Sequence, residues 1–113
     1  MSYRRDKHLA LAATELSGLS GKALIEKAKE VLALGMHGLC FSPYEEGQKP
    51  GERISESQIR RRMEIIKPYT QWIRSFSCTE GNEKIPGIAR EYGIKTMVGA
   101  WLGDYPEINR EEV

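Results

Sequence analysis

This chain has only two cysteines, and it carries almost no excess charge of either sign. Seventeen basic residues stand against sixteen acidic ones, a net charge of +1. That balance argues against a nucleic-acid partner, which calls for a clearly basic surface, and against an anionic membrane. Two cysteines, Cys40 and Cys78, lack the C-x-x-C spacing of a metal site. Each falls near the end of a predicted strand, so adjacent parallel strands would bring the thiols toward each other. Two buried thiols in a reducing compartment are the expected state. No apolar run approaches the ~20 residues that span a bilayer. Leu9-Ala10-Leu11-Ala12-Ala13 is too short, and too soon broken by Glu15, for a secretory leader, and Arg4-Arg5 is only a weak twin-arginine lookalike. A cytoplasmic protein is expected. No G-x-G-x-x-G or G-x-x-x-x-G-K-[ST] follows any predicted strand, so dinucleotide and P-loop readings lack their carriers. Neither cofactor nor metal is expected. At 113 residues the chain is also short for a closed β/α barrel, which takes about 250 residues and at least roughly 200.

What the sequence does contain is one grammar used three times. His37-Gly38-Leu39-Cys40-Phe41-Ser42-Pro43-Tyr44 is a short apolar run that ends in polar and aromatic residues and opens into a Gly/Pro-rich loop. Trp72 to Ser77, leading into Cys78, and about Ile94 to Leu102 repeat it. In the second run Trp72, Arg74 and Phe76 point one way, and Ile73, Ser75 and Ser77 the other.

Helices fall between the strands. Leu24, Ile25, Ala28, Val31 and Leu32 keep helical spacing, with Ser20 as N-cap and Gly35 just past the end. Ser55-Glu56-Ser57-Gln58 is a capping box before Ile59, Met63 and Ile66, and Pro68 ends that helix. Asn82 or Thr79 is expected to cap a third helix, whose apolar face is Ile85, Ile88, Ala89 and Tyr92; Pro86 is tolerated in its first turn. After the turn Gly103-Asp104-Tyr105-Pro106, Asn109 is read as an N-cap with Glu112 three residues on, and Ile108 and Val113 as a hydrophobic staple. That reading leaves the chain ending one turn into a helix, the mark of a piece of a longer fold. The expected architecture is therefore α/β: the first three β/α units of a truncated TIM (β/α)8 barrel, a parallel three-stranded sheet with an extra N-terminal helix. Residues 1–35 form the helical segment and 36–113 the partial barrel.

Three stretches carry a resemblance: Cys40-Phe41-Ser42-Pro43-Tyr44, Trp72 to Glu83, and Lys95-Thr96-Met97-Val98-Gly99-Ala100-Trp101. They resemble the first strands of family 17 glycoside hydrolases, β/α-barrel β-1,3-glucanases, and the bacterial branch in particular. The resemblance covers roughly residues 36–113. It implies a β-glucan or oligosaccharide partner held at the carboxyl ends of the strands. By position it places Phe41 and Phe76 where the family has cleft tyrosines, and Arg74 on the strand arginine. Tyr44 and Trp101 join them as substrate-binding candidates. The chemistry needs two carboxylates about 5–5.5 Å apart in a retaining enzyme, and the family's pair lies on later strands. No catalytic residue is therefore assigned, and the 113-residue chain is expected to be inactive by itself.

Other features have plainer readings. Gly81-Asn82-Glu83 has the letters of the family's acid/base motif, but it heads a helix and reads as a capping Asn with a dipole-compensating Glu. Glu45, Glu46 and Glu52 read as a solvated loop. Arg60-Arg61-Arg62 reads as a solvated helix face with a Glu56–Arg60 pair. His37 reads as structural, and Trp72 and Met97 as core. Arg74 inside a strand calls for a carboxylate, ligand or water. Two alternatives remain: a non-catalytic module that self-associates through open sheet edges or completes a split barrel, and a fragment of another TIM-barrel sugar enzyme.

Overall fold

The computed structural model describes Leu16 and residues 18–113. The chain divides into two units, 1–32 and 33–113. Helix α1 (Gly21–Leu34) starts where Ser20 accepts a hydrogen bond from the Ala23 amide, and Gly35 follows it with φ +79°. None of its residues is buried.

The second unit is an α/β layer. Its order is β1 (Met36–Cys40), α2 (Glu56–Ile66), β2 (Thr70–Arg74), α3 (Ile85–Glu91), β3 (Lys95–Met97) and α4 (Pro106–Glu112). The strands pair in sequence order, β1-β2-β3, and every pairing is parallel. Leu39, Ile73 and Thr96 share one face by register, while Gly38, Trp72 and Lys95, then Cys40, Arg74 and Met97, share the other.

The first face is covered. Ile73 joins Ile59 and Met63 of α2, Ile85, Ile88 and Ala89 of α3, and Phe41 and Ile94 in one core, with Ile66 and Tyr92 packed against it. The helical spacing of the sequence dictates this stripe. Pro86 sits in the first turn of α3 as expected.

No helix among the described residues covers the second face. Met97 is 61% exposed, and Trp72 is half-buried, so neither belongs to the core assigned to them from the sequence. They alternate with core residues and face away from both covering helices. Arg74 and Lys95 lie on the same face, and each lays its charge over an aromatic ring, Arg74 on Phe76 at 5.0 Å and Lys95 on Trp72 at 5.3 Å. Among the described residues neither forms a salt bridge.

Several local expectations are corrected. The β3 ladder ends at Met97, not Leu102, because the chain beyond turns its amides to other partners. Likewise β2 ends at Arg74, although Ser75 still donates to the Met97 carbonyl at 3.0 Å. Pro106 occupies the first turn of α4, so the helix begins before Asn109 and runs seven residues. Asn109 is not a cap: its side chain brackets Gly103, accepting from the amide at 2.8 Å and donating to the carbonyl at 2.9 Å. Val113 is 93% exposed, so no staple forms. The Arg60-Arg61-Arg62 run is not merely solvated. Arg60 grips Glu91 of α3 with both amino groups, Arg61 pairs with Glu45, and Arg62 donates to the Tyr44 carbonyl. Glu56 pairs instead with Lys84, at 3.2 Å. No helix among the described residues is long and apolar enough to cross a membrane.

Candidate functional site

The strands all point their carboxyl ends to one rim, and the segments that leave them enclose a cleft of about 550 Å³. Phe41, Ser42, Pro43 and Tyr44 come from the end of β1, Phe76 and Ser77 from the end of β2, and Trp101 from beyond β3. Ile108 and Glu112 of α4 close the wall.

The loop after β1 is held open by a buried amide. Ser55 caps α2 as its sequence implies, accepting from the Gln58 amide at 3.2 Å. The Gln58 side chain does not reach back to close the capping box. It donates instead to the Pro43 carbonyl at 2.8 Å and to Gln48 across the loop, and Gln48 in turn accepts from the Glu45 amide at 2.9 Å. Residues 43–48 are thus braced by the helix that follows them.

The loop after β2 turns at Gly81, whose φ is +94°. A β-carbon there would overlap the Ile54 carbonyl oxygen, so only glycine fits. Asn82 is buried, but it caps no helix. Its side-chain amide donates to the Thr79 carbonyl at 3.0 Å, and Glu83 accepts from the Gly81 amide at 2.7 Å. Glu83 is thereby tied to its own loop.

Glu112, read from the sequence as the partner of an Asn109 cap, instead ends α4 and is the group whose role sequence reasoning missed. It is 5% exposed, and its carboxylate gathers both rim loops. One oxygen accepts from the Ser77 hydroxyl and from the Thr79 hydroxyl at 2.8 Å. The other accepts from the Cys78 amide at 2.8 Å and the Trp101 amide at 2.9 Å. Burial pushes this carboxyl up, but hydrogen bonds from Ser77, Trp101, Cys78 and Thr79 together outweigh it and hold it below the usual range. An ionised carboxylate has roughly four lone-pair sites, and all are occupied. Glu112 is therefore saturated, with nothing left for a proton in transit. Burial, then the charges of Glu112 and Glu83, push the Cys78 thiol up, so it is no ready nucleophile.

Of the five residues singled out from the sequence, Phe41, Tyr44, Phe76 and Trp101 meet in this cleft. Phe41 belongs to the core as well, being 5% exposed, and so forms the cleft floor rather than a free platform. Trp101 is 66% exposed. Arg74 does not line the cleft; it lines a shallower hollow on the bare sheet face with Cys40, Trp72 and Met97. The signal that could have found Glu112 was Pro106, which fixes the start of α4 and so puts Ile108 and Glu112, four residues apart, on one side of it.

Glu112 is the one carboxylate lining the cleft among the described residues, and no group of three His, Cys, Asp or Glu side chains among them can hold a metal. Comparison of the chain with protein-family models, with curated proteins and with solved structures finds no match.

Proposed function

We propose that residues 36–113 are the opening β/α units of a barrel like those of family 17 glycoside hydrolases, and that the rim cleft binds a β-1,3-glucan chain. The observation that carries this reading is the convergence of Phe41, Tyr44, Phe76 and Trp101, from three separate segments, on one cleft at the carboxyl rim of a parallel sheet. Ligands of β/α folds sit at that rim, and aromatic faces suit the apolar faces of sugar rings. The bare sheet face supports the barrel half of the reading. Parallel sheets are normally covered on both faces, and in a barrel the inner face is covered by the remaining strands.

Binding, not hydrolysis, is the activity assigned to this chain. A retaining glycosidase needs a second carboxylate about 5–5.5 Å from the first, and Glu112 has no such companion in the cleft among the described residues. Titrating the full chain with laminarin oligosaccharides should change tryptophan fluorescence, and a β-1,4-glucan should act more weakly. Trp101→Ala should remove the change, while Trp72→Phe should keep it, because Trp72 stands outside the cleft. Absence of any response at millimolar oligosaccharide, or release of reducing sugar by the pure chain, would overturn the assignment.

A second reading, self-association through the sheet, is favoured by the exposure of Met97 and Val98 beside an unpaired edge at β3. Light scattering separates the two: a monomer at high concentration argues against assembly.

A further inference from the structure

Phe76 and Trp101 leave the sheet on different strands, and beyond Met97 the chain has no ladder to hold it. Yet both stand in one cleft. Beyond the Ser75–Met97 hydrogen bond, the main connection between them runs through one side chain, Glu112. Ser77, Cys78 and Thr79, directly after Phe76, place two hydroxyls and an amide on Glu112, and Trp101 places its own amide on the same carboxylate. Cys78 adds a weak thiol contact to the Gly99 carbonyl at 3.7 Å.

Glu112 sits in an awkward place for a negative charge, the last residue of α4, where the helix dipole disfavours it. Burial disfavours it further. Only the donors of the two rim loops offset those costs, so helix, loops and charge hold one another in place.

We propose that Glu112 is a positioning residue, a latch that fixes the Trp101 segment against the Ser77–Thr79 loop and thereby sets the shape of the cleft. The proposal rests on the glucan reading for its ligand but not for its geometry. Glu112 touches no sugar, because all its acceptor sites are filled; it acts on the ligand through Trp101 and Phe76.

Two measurements on the full chain test it. In a ¹⁵N-labelled sample the Cys78 and Trp101 amide signals should move together with pH, sharing one midpoint below the ordinary glutamate value, and in Glu112→Gln neither should show that step. Gln matches Glu in size but removes the charge, and its one oxygen can serve the two amides or the two hydroxyls but not all four as acceptor. In laminarin-oligosaccharide titrations E112Q should therefore bind about tenfold more weakly, as expected for loss of a charge-assisted hydrogen bond, with the core signals of Ile73 and Ile88 unchanged. Separate midpoints for the two amides, or equal affinity of a folded E112Q, would sink the latch. A wild-type chain that ignores laminarin would sink the glucan reading alone, and the shared amide midpoint would still decide the latch.

Discussion

Gly99 passes so close to the end of β2 that a β-carbon on it would stand 2.6 Å from the Ser75 carbonyl oxygen. That approach is what lets the segment beyond β3 run alongside the Ser75–Cys78 stretch and deliver Trp101 to the cleft. Real side-chain carbons do not tolerate such a distance to backbone, so Gly99→Ala must pry the two segments apart. Overpacking of this kind costs about 1–3 kcal/mol. Urea unfolding should show a loss in that range, and binding of the cleft ligand should weaken along with it.

Gly81 and Gly87 make a matched pair of opposite sign. Gly81 combines φ +94° with a clash against the Ile54 carbonyl, so Gly81→Ala should destabilise by more than about 1 kcal/mol. Gly87 lies inside α3 with nothing within 4 Å of its would-be β-carbon. There the same substitution should stabilise by about 0.5–1 kcal/mol, because glycine is the poorer helix former. Thermal melts of the two variants should move in opposite directions.

Acid should weaken the fold through Glu112. Its folded-state pKa lies below the 4.5 taken for the unfolded chain, so the unfolded chain binds the proton first as pH falls. The stabilisation it provides is complete above that unfolded value and is lost as pH drops through the lower folded one. Cys78, the titratable neighbour, stays protonated throughout, since its pKa is raised. Glu91 is lowered too, chiefly by its hydrogen bond from Arg60, but that pair is exposed and contributes little. Unfolding free energy measured from pH 7 to 3 should be level at first and fall below about pH 4.5, more steeply in wild type than in Glu112→Gln.

Gln58 braces the first rim loop from inside α2. Gln58→Ala leaves the Pro43 carbonyl and the Gln48 side chain without their buried partner. A loss of about 1–3 kcal/mol is expected. The more telling readout is limited digestion with a glutamate-specific protease, where cleavage after Glu46 should speed up well before the core gives way.

How far the sequence reached follows from the kind of interaction involved. Helical and strand periodicity made the covered core legible: Ile59, Met63, Ile66, Ile85, Ile88, Ala89 and Tyr92 were assigned to the faces on which they pack. Phe41, Tyr44, Phe76 and Trp101 were reached through the family resemblance, by their places at or near strand ends. Trp72 and Met97 were misjudged because apolarity alone does not say whether a face has a cover. Glu112 was read only as the partner of an Asn109 cap because its real role depends on Ser77, Cys78 and Thr79, 33 to 35 residues away in sequence, and on Trp101, 11 residues away in a second segment. Gln58 was read as a local cap for the mirror-image reason. Its short-range partner was plain in the letters, and its partners across the first loop were not.

Cys40 stands exposed on the bare side of the sheet, in register with Arg74, while Cys78 is half-buried behind the rim. The two thiols therefore differ in access, and a mild alkylating reagent will mark Cys40 first. How quickly it does so measures whether anything lies against that side, without disturbing the aromatic rim. The chain thus carries its own chemical reporter on that side of the sheet.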